Sequence, residues 1–348
     1  MSAHEERWIV VLAGGVGSRF WPVSTPERPK QLLPLVTADP MLRDTVDRVA
    51  KLAPPERILI LTNASLAEAV RNVIPELPAE NVIAEPRPAG TTAALAWAAH
   101  EIARRSGPDA LMISVHADAA IGSVVLFLGA LTQAGSAARA ENSLVTVGIV
   151  PRFPDTGLGY IEPGAVVNGS LRRVARFVEK PDRPRAEAMV AAGCLWNSGI
   201  FAWRVGVLLE ELHAHCPEVS VPLDANPDDL KAFFAAVKTP IAIDVGVLER
   251  SSRVMVVPGD FGWSDVGTWA ALRAVRTADA HGNVPSGSTF LRDSHGNVVH
   301  AEGRTVVLYG VDDLVVVTTD GVTLVTTVER AADLKTLLDA LPPEVRNQ

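Results

Sequence analysis

From residue 8 to about residue 150, short apolar runs alternate with amphipathic stretches of helical period, the pattern of a mostly parallel sheet with helices on both faces. The runs of strand length are 8–12, 57–62, 81–84, 110–115 and 143–150. Between the first two, Leu42, Val46, Val49 and Ala53 recur at helical spacing. Asp39 before Pro40 predicts an N-cap with proline at the first helical position. Segments 91–105 and 123–138 are rich in Ala and Leu with no internal proline and predict the crossover helices of βαβ units. From 151 to 274 the pattern is mixed, with strands at 171–179 and 253–257 and helices near 185–192 and 229–237. This half is expected to extend the same sheet.

The tail from Gly287 changes character. Short β-rich runs at 306–309, 314–318 and 322–327 are separated by turn signals roughly every ten residues. They predict a small β domain, either a meander or a few coils of a β-solenoid, closed by a helix near 331–341. The expected organisation is a large α/β domain over residues 1–280 and a small β-rich domain over 281–348.

Composition narrows the functions this chain can have. Its 348 residues are 48% hydrophobic, enough for one large core and a smaller one. The net charge is −8 and no Lys/Arg run is present, which argues against nucleic-acid polymers or an anionic membrane as partners. Cys194 and Cys216 lie far from any CxxC spacing and are expected to be reduced in a cytoplasmic protein. Residues 1–7 are charged and precede only a short apolar run, so neither a signal peptide nor a membrane span is expected.

Candidate chemistry begins where the first strand runs into LAGGVGSRFWP at 12–22. Gly14, Gly15 and Gly17 let the backbone approach a ligand and aim N–H groups at phosphate oxygens, and Arg19 and Lys30 add fixed positive charge. A plain glycine-rich turn is the competing reading of such a loop. No Gly-Lys-Ser/Thr follows, so it is not a P-loop, and Phe20 replaces the third spaced glycine of the dinucleotide fingerprint. A dehydrogenase is disfavoured on that ground.

Taken with RPKQLLP at 28–34, this segment resembles the signature of nucleoside-triphosphate:sugar-1-phosphate transferases. FVEKPD at 177–182, WNSGIF at 196–201 and DFGWSDVGTW at 260–269 resemble the mannose-1-phosphate guanylyltransferase branch. The resemblance spans roughly residues 8–330 and implies a Rossmann-like sheet, in a form shorter than relatives that carry an extra isomerase domain. It implies GTP and mannose 1-phosphate as substrates, Mg²⁺ as cofactor, and a homodimer as the expected assembly. Leu12, Ala13, Gly14, Gly15, Gly17, Ser18 and Glu85 would lie on the nucleotide side. Arg19 and Lys30 would bind the triphosphate, and Lys180 the sugar phosphate. Gly159, Tyr160, Glu179, Asn197, Gly199 and Asp244 would lie on the sugar side, and Asp118 and Asp265 would hold the metal. Such transfer leaves little covalent chemistry to the protein, so cations that align two anions and neutralise the leaving group are what it needs.

Each assignment has a bland competitor. Glu179 and Lys180 could be an exposed ion pair, Tyr160 a core aromatic, His116 a partly buried histidine with a satisfied hydrogen bond, and Asp118 or Asp265 a helix N-cap. Neighbours on a regular strand point to opposite faces, so the strand must end near Glu179 if both side chains are to act together. Pro181 biases Lys180 away from helix, towards an extended backbone. The chain also departs from the family. The aspartate of Pro-Ala-Asp-His survives as Asp118, but His116 replaces the proline and Ala119 the histidine. After Glu85 and Pro86, relatives tend to show Arg-Asn-Thr-Ala-Pro where this chain has residues 89–93, AGTTA. That change removes groups able to read a base edge or bind phosphate. Another nucleotide or hexose 1-phosphate, or a weakly active nucleotide-sugar-binding regulator, are therefore the competing functions.

Overall fold

A computed structural model of the chain describes residues 6–15 and 18–346, and the side chain of Ser18 is not among the described parts. The Gly17 assignment lies outside the described residues. The fold separates into two units, residues 1–14, 46–117 and 123–261 in the first, and 15–45, 118–122 and 262–348 in the second.

The first unit is built on β1 (Arg7–Leu12), β2 (Ile58–Asn63), β3 (Val82–Glu85) and β4 (Leu111–His116), and is continued by β6 (Leu144–Ile149), β7 (Tyr160–Asn168), β8 (Leu171–Val178), β9 (Leu195–Arg204) and β10 (Val254–Gly259). These nine strands form one mixed sheet in the order β3-β2-β1-β4-β9-β6-β10-β8-β7. The β3-β2-β1-β4 block and the β6–β10 pair are parallel. β9 runs antiparallel between β4 and β6.

Side-chain alternation on β4 sets the layers. Met112 joins the buried cluster of α3 (Gly90–Ser106), α6 (Val205–His215), α7 (Pro217–Ala225) and α8 (Leu230–Ala236). Leu111 and Ile113 instead meet Gly135 of α4 (Val124–Glu141). Adjacent strand residues face opposite ways, so helices cover both faces. Ser123 caps α4, its hydroxyl accepting from Leu126 N.

Two strands of this nine-stranded sheet lie where the sequence pattern gives no strand expectation. β7 holds Pro163 and Gly164 and its pairing with β8 is irregular, while Asn197, Ser198 and Gly199 interrupt the apolar run of β9. The start of α1 (Met41–Val49) also differs from expectation. There the Thr37 hydroxyl donates to the Asp44 carboxylate at 2.9 Å, so the acid engaged at this end lies inside the helix. Among the described residues no helix is long and apolar enough to cross a membrane.

The second unit contains the short pair β5 (Ala120–Ile121) and β11 (Trp263–Ser264), followed by β12 (Val284–Ser286), β13 (Thr289–Arg292), β14 (Val298–Ala301), β15 (Val306–Tyr309), β16 (Leu314–Thr318) and β17 (Thr323–Thr327). β12, β14 and β16 pair in parallel, as do β13 and β15. Consecutive antiparallel hairpins would give a meander, so this pairing identifies the solenoid. Its coils are stacked on buried asparagines, Asn297 Nδ2 donating to Asn283 Oδ1 at 2.9 Å. β17 turns antiparallel onto β16, and α10 (Leu334–Ala340) adds Leu334 and Leu338 to a core shared with Val298, Val315, Phe20, Leu33 and Trp269.

Candidate functional site

In the second unit the candidate residues gather around one ammonium. Lys30 is almost completely buried, with its side chain 6% exposed. An ammonium so far from water needs partners. Its Nζ donates to Asp118 Oδ2 at 3.0 Å and, over a shorter distance, to the backbone carbonyl of Asp265. It also lies 5.9 Å from the centre of the Phe20 ring. Asp118 leads into β5 and Asp265 follows β11, and the two strands pair antiparallel. Neither aspartate begins a helix, which removes the N-cap competitor.

Arg19 joins the same group. A Cβ placed on Gly267 would sit 2.8 Å from Asp265 Oδ2 and 3.3 Å from Arg19 Nη1, so the glycine makes room for both. Between Asp265 and Gly267, Val266 is fully buried at φ +45°, an outlier for a β-branched residue. Such strain is retained where surrounding packing fixes the turn.

In the first unit a second group gathers on β7, β8 and β9. β8 ends at Val178, and Lys180 takes φ +41°. The strand therefore stops where the two side chains need it to, and Glu179 and Lys180 pair at 2.7 Å on the exposed surface. Lys180 thus departs from the extended backbone that Pro181 favours and adopts the left-handed region instead. Asn197 Nδ2 donates to Asp244 Oδ1 at 2.7 Å, while its Oδ1 accepts from Gly199 N at 3.2 Å. Asn197 N donates to Gly159 O at 2.8 Å, and a Cβ on Gly159 would approach Glu179 Oε2 to 2.7 Å. Glu179, Asn197 and Gly159 are thus neighbours, with Asp244 bound to the same asparagine. Burial raises the Asp244 carboxyl, against the lowering effect of the Asn197 hydrogen bond.

Tyr160 lies beneath the same group. Its ring is fully buried and its hydroxyl donates to Asp155 O and accepts from Asp155 N, both at 3.0 Å. It packs as a core aromatic that closes the loop before β7, next in the chain to Gly159.

The residues expected on the nucleotide side begin at the end of β1. Leu12 is in register with His116 of β4, and Ala13 N donates to Leu61 O at 2.8 Å. Gly14 lies near Glu85, whose Oε1 would be 3.9 Å from an added Cβ. Burial pushes the Glu85 carboxyl up to about 7. Gly15 falls in the second unit, and among the described residues nothing lies within 4 Å of the place its Cβ would take.

The departures from the family also have a local explanation. Gly90 opens α3 at φ +84°, and a Cβ there would lie 2.3 Å from Ile241 O. Thr92 N donates to that carbonyl at 3.1 Å and Ile243 N to Thr91 Oγ1 at 2.9 Å. Residues 90–92 thus bind the 241–243 segment that leads to Asp244. His116 is half-buried, and its ring fills the space beside Gly199.

The donor set suits a divalent ion completed by substrate. The Asp118 carboxylate and the Asp265 backbone carbonyl both accept from the Lys30 ammonium, the Asp265 carboxylate lies beside Gly267, and no group of three or more His, Cys, Asp or Glu among the described residues could hold a metal alone. Mg²⁺ is commonly held by one or two carboxylates plus phosphate oxygens and water.

The sheet and this signature loop define the class, a nucleotidyl transferase, whose family model matches residues 9–282. A second model, described as a MannoseP isomerase/GMP-like beta-helix domain, matches 289–341. A mannose-1-phosphate guanylyltransferase of Klebsiella pneumoniae is 37% identical over 355 residues, 97% of this chain and 74% of that protein. The alginate biosynthesis protein AlgA of Pseudomonas aeruginosa is 34% identical over 353 residues, 97% and 73% respectively. A solved Thermus thermophilus structure, described as a mannose-1-phosphate geranyltransferase, superposes with TM-score 0.87 at 34% identity, covering 96% of this chain and 98% of that one. The chain belongs to the mannose-1-phosphate guanylyltransferase family.

Proposed function

We propose that this protein transfers GMP from GTP to mannose 1-phosphate, giving GDP-mannose and pyrophosphate. The observation that carries this reading is the buried Lys30, joined at once to Asp118 and Asp265. A phosphate oxygen of mannose 1-phosphate attacks the α-phosphorus in line, a new P–O bond forms, and the bond to the β-phosphate oxygen breaks. The electron pair leaves with pyrophosphate, so no covalent enzyme intermediate is needed.

Arg19 and Lys30 neutralise charge growing on the leaving group, the kind of electrostatic term that dominates such reactions. Asp118 and Asp265 would hold Mg²⁺, which when bound supplies charge neutralisation to the phosphates. Leu12, Ala13, Gly14, Gly15, Gly17, Ser18 and Glu85 receive the nucleotide. Lys180 binds the sugar phosphate, and Gly159, Glu179, Asn197, Gly199 and Asp244 form the hexose side, with Tyr160 packed beneath them. Asn197 offers both a donor and an acceptor, which suits a hydroxyl-rich ligand. The reading includes a homodimer and a cytoplasmic location, the latter supported by the two buried free thiols, Cys194 and Cys216.

Pyrophosphate release across a matrix of nucleoside triphosphates and hexose 1-phosphates tests the proposal. GTP with mannose 1-phosphate should be the best pair. A better pair would replace the substrates, and GDP-mannose binding without any turnover would favour the regulatory alternative.

A further inference from the structure

Glu302 lies just beyond β14 in the solenoid, far in sequence from the signature loops, yet its carboxylate takes a two-point bond from Arg28. Nη1 meets Oε2 at 3.0 Å and Nη2 meets Oε1 at 3.2 Å, the fork geometry that fixes direction as well as distance. Glu302 is itself held in place. Its backbone N donates to Thr318 O at 3.0 Å, and its Oε1 lies 3.2 Å from Nε2 of the buried His300.

Arg28 is two residues from Lys30. It closes a tight turn, its N donating to Thr25 O at 3.2 Å, and only Pro29, at φ −71°, separates it from the 3₁₀ turn that Lys30 begins. The proline ring fixes φ at Pro29, so few backbone rotations separate Arg28 from Lys30. The far end of the same segment is tied down by Arg276, which donates to the carbonyls of Pro34 and Leu35. A parallel route runs from His300 to Arg19. The His300 ring is 5.3 Å from that of Trp269, which lies 5.0 Å from Phe20, and Trp269 Nε1 donates to Trp21 O at 3.0 Å.

We propose that the C-terminal β-solenoid is a positioning element of the transfer reaction, in which Glu302 acts through Arg28 to fix the ammonium of Lys30. This rests on the reading that Lys30 binds the triphosphate. As a stability element the pair would matter little, because both side chains are substantially exposed and such pairs contribute about 0–1 kcal/mol.

The test is a double-mutant cycle on the full chain with GTP, Mg²⁺ and mannose 1-phosphate. Glu302→Gln, Arg28→Gln and the double variant should each lower kcat by the same factor, about tenfold, with KM for mannose 1-phosphate and the melting temperature unchanged. Additive losses, or wild-type kcat in Glu302→Gln, would overturn the proposal. Calorimetric binding of inorganic pyrophosphate with Mg²⁺ gives a readout independent of turnover. An inactive wild type would refute the substrate reading alone, while equal pyrophosphate affinity in wild type and Glu302→Gln would refute the positioning role.

Discussion

Lys30 and Asp118 form an unequal pair: the lysine side chain is 6% exposed and the aspartate 40%, with Nζ and Oδ2 3.0 Å apart. The cation is fixed by the protein interior while the carboxylate that accepts from it is partly exposed to solvent. Lys30→Met preserves much of the stem and removes the charge. It should lower kcat for pyrophosphate release by about 10²–10³-fold, the scale seen when one electrostatic donor is lost. Circular dichroism should show the fold retained. A rate within about twofold of wild type would contradict the role given to Lys30, given that expected scale.

Gly267 sets the clearance between Asp265 and Arg19. An alanine there would press on a carboxylate oxygen at 2.8 Å and a guanidinium nitrogen at 3.3 Å, next to the already strained Val266. Because misplacement of about 1 Å can cost 10²-fold in rate, Gly267→Ala should lower kcat by about tenfold or more. The Mg²⁺ concentration for half-maximal activity should rise. A magnesium titration at saturating GTP checks this, and an unchanged metal requirement would separate Asp265 from the ion.

The parallel strands, the crossover helices and the neighbourhood of Glu179 and Asn197 were legible because each depends on short-range pattern or a contiguous motif. β9 was not, since its polar Asn197–Ser198–Gly199 breaks the apolar run and only tertiary pairing with β4 and β6 makes it a strand. Nor does any sequence rule place a buried valine at positive φ, as at Val266. The Arg28–Glu302 bond joins residues 274 apart, and both are ordinary surface types. The burial of Tyr160 was not legible, because a buried tyrosine and a surface one look alike until the partners of the hydroxyl, here both backbone groups of Asp155, are known.

Gly90 offers a test of stability apart from chemistry. Its φ of +84° and the 2.3 Å approach to Ile241 O mean that a methyl group meets backbone, which cannot rotate away. Gly90→Ala should cost about 3 kcal/mol, adding backbone strain to overpacking. Urea denaturation would show a lower midpoint with an unchanged slope. A midpoint equal to wild type would mean that the 241–243 segment is free to withdraw from α3.

Glu85 predicts a pH dependence whose sign follows from its burial. Its carboxyl rises from 4.5 to about 7 in the folded chain, so the folded state holds its proton over a range in which the unfolded chain has released it. Below about 4.5 both states are protonated and burial brings no ionisation penalty. As pH climbs from there to about 7, the unfolded state binds fewer protons than the folded one, and stability must fall. Above about 7 both are ionised and the loss is complete. Glu85→Gln keeps the shape and removes the titration. Its melting temperature relative to wild type should therefore be lowest near about pH 4, climb through the window, and level off by about pH 8. Paired thermal melts across that range measure the difference directly. A difference that stays constant with pH would show that Glu85 does not carry a raised pKa in the folded protein.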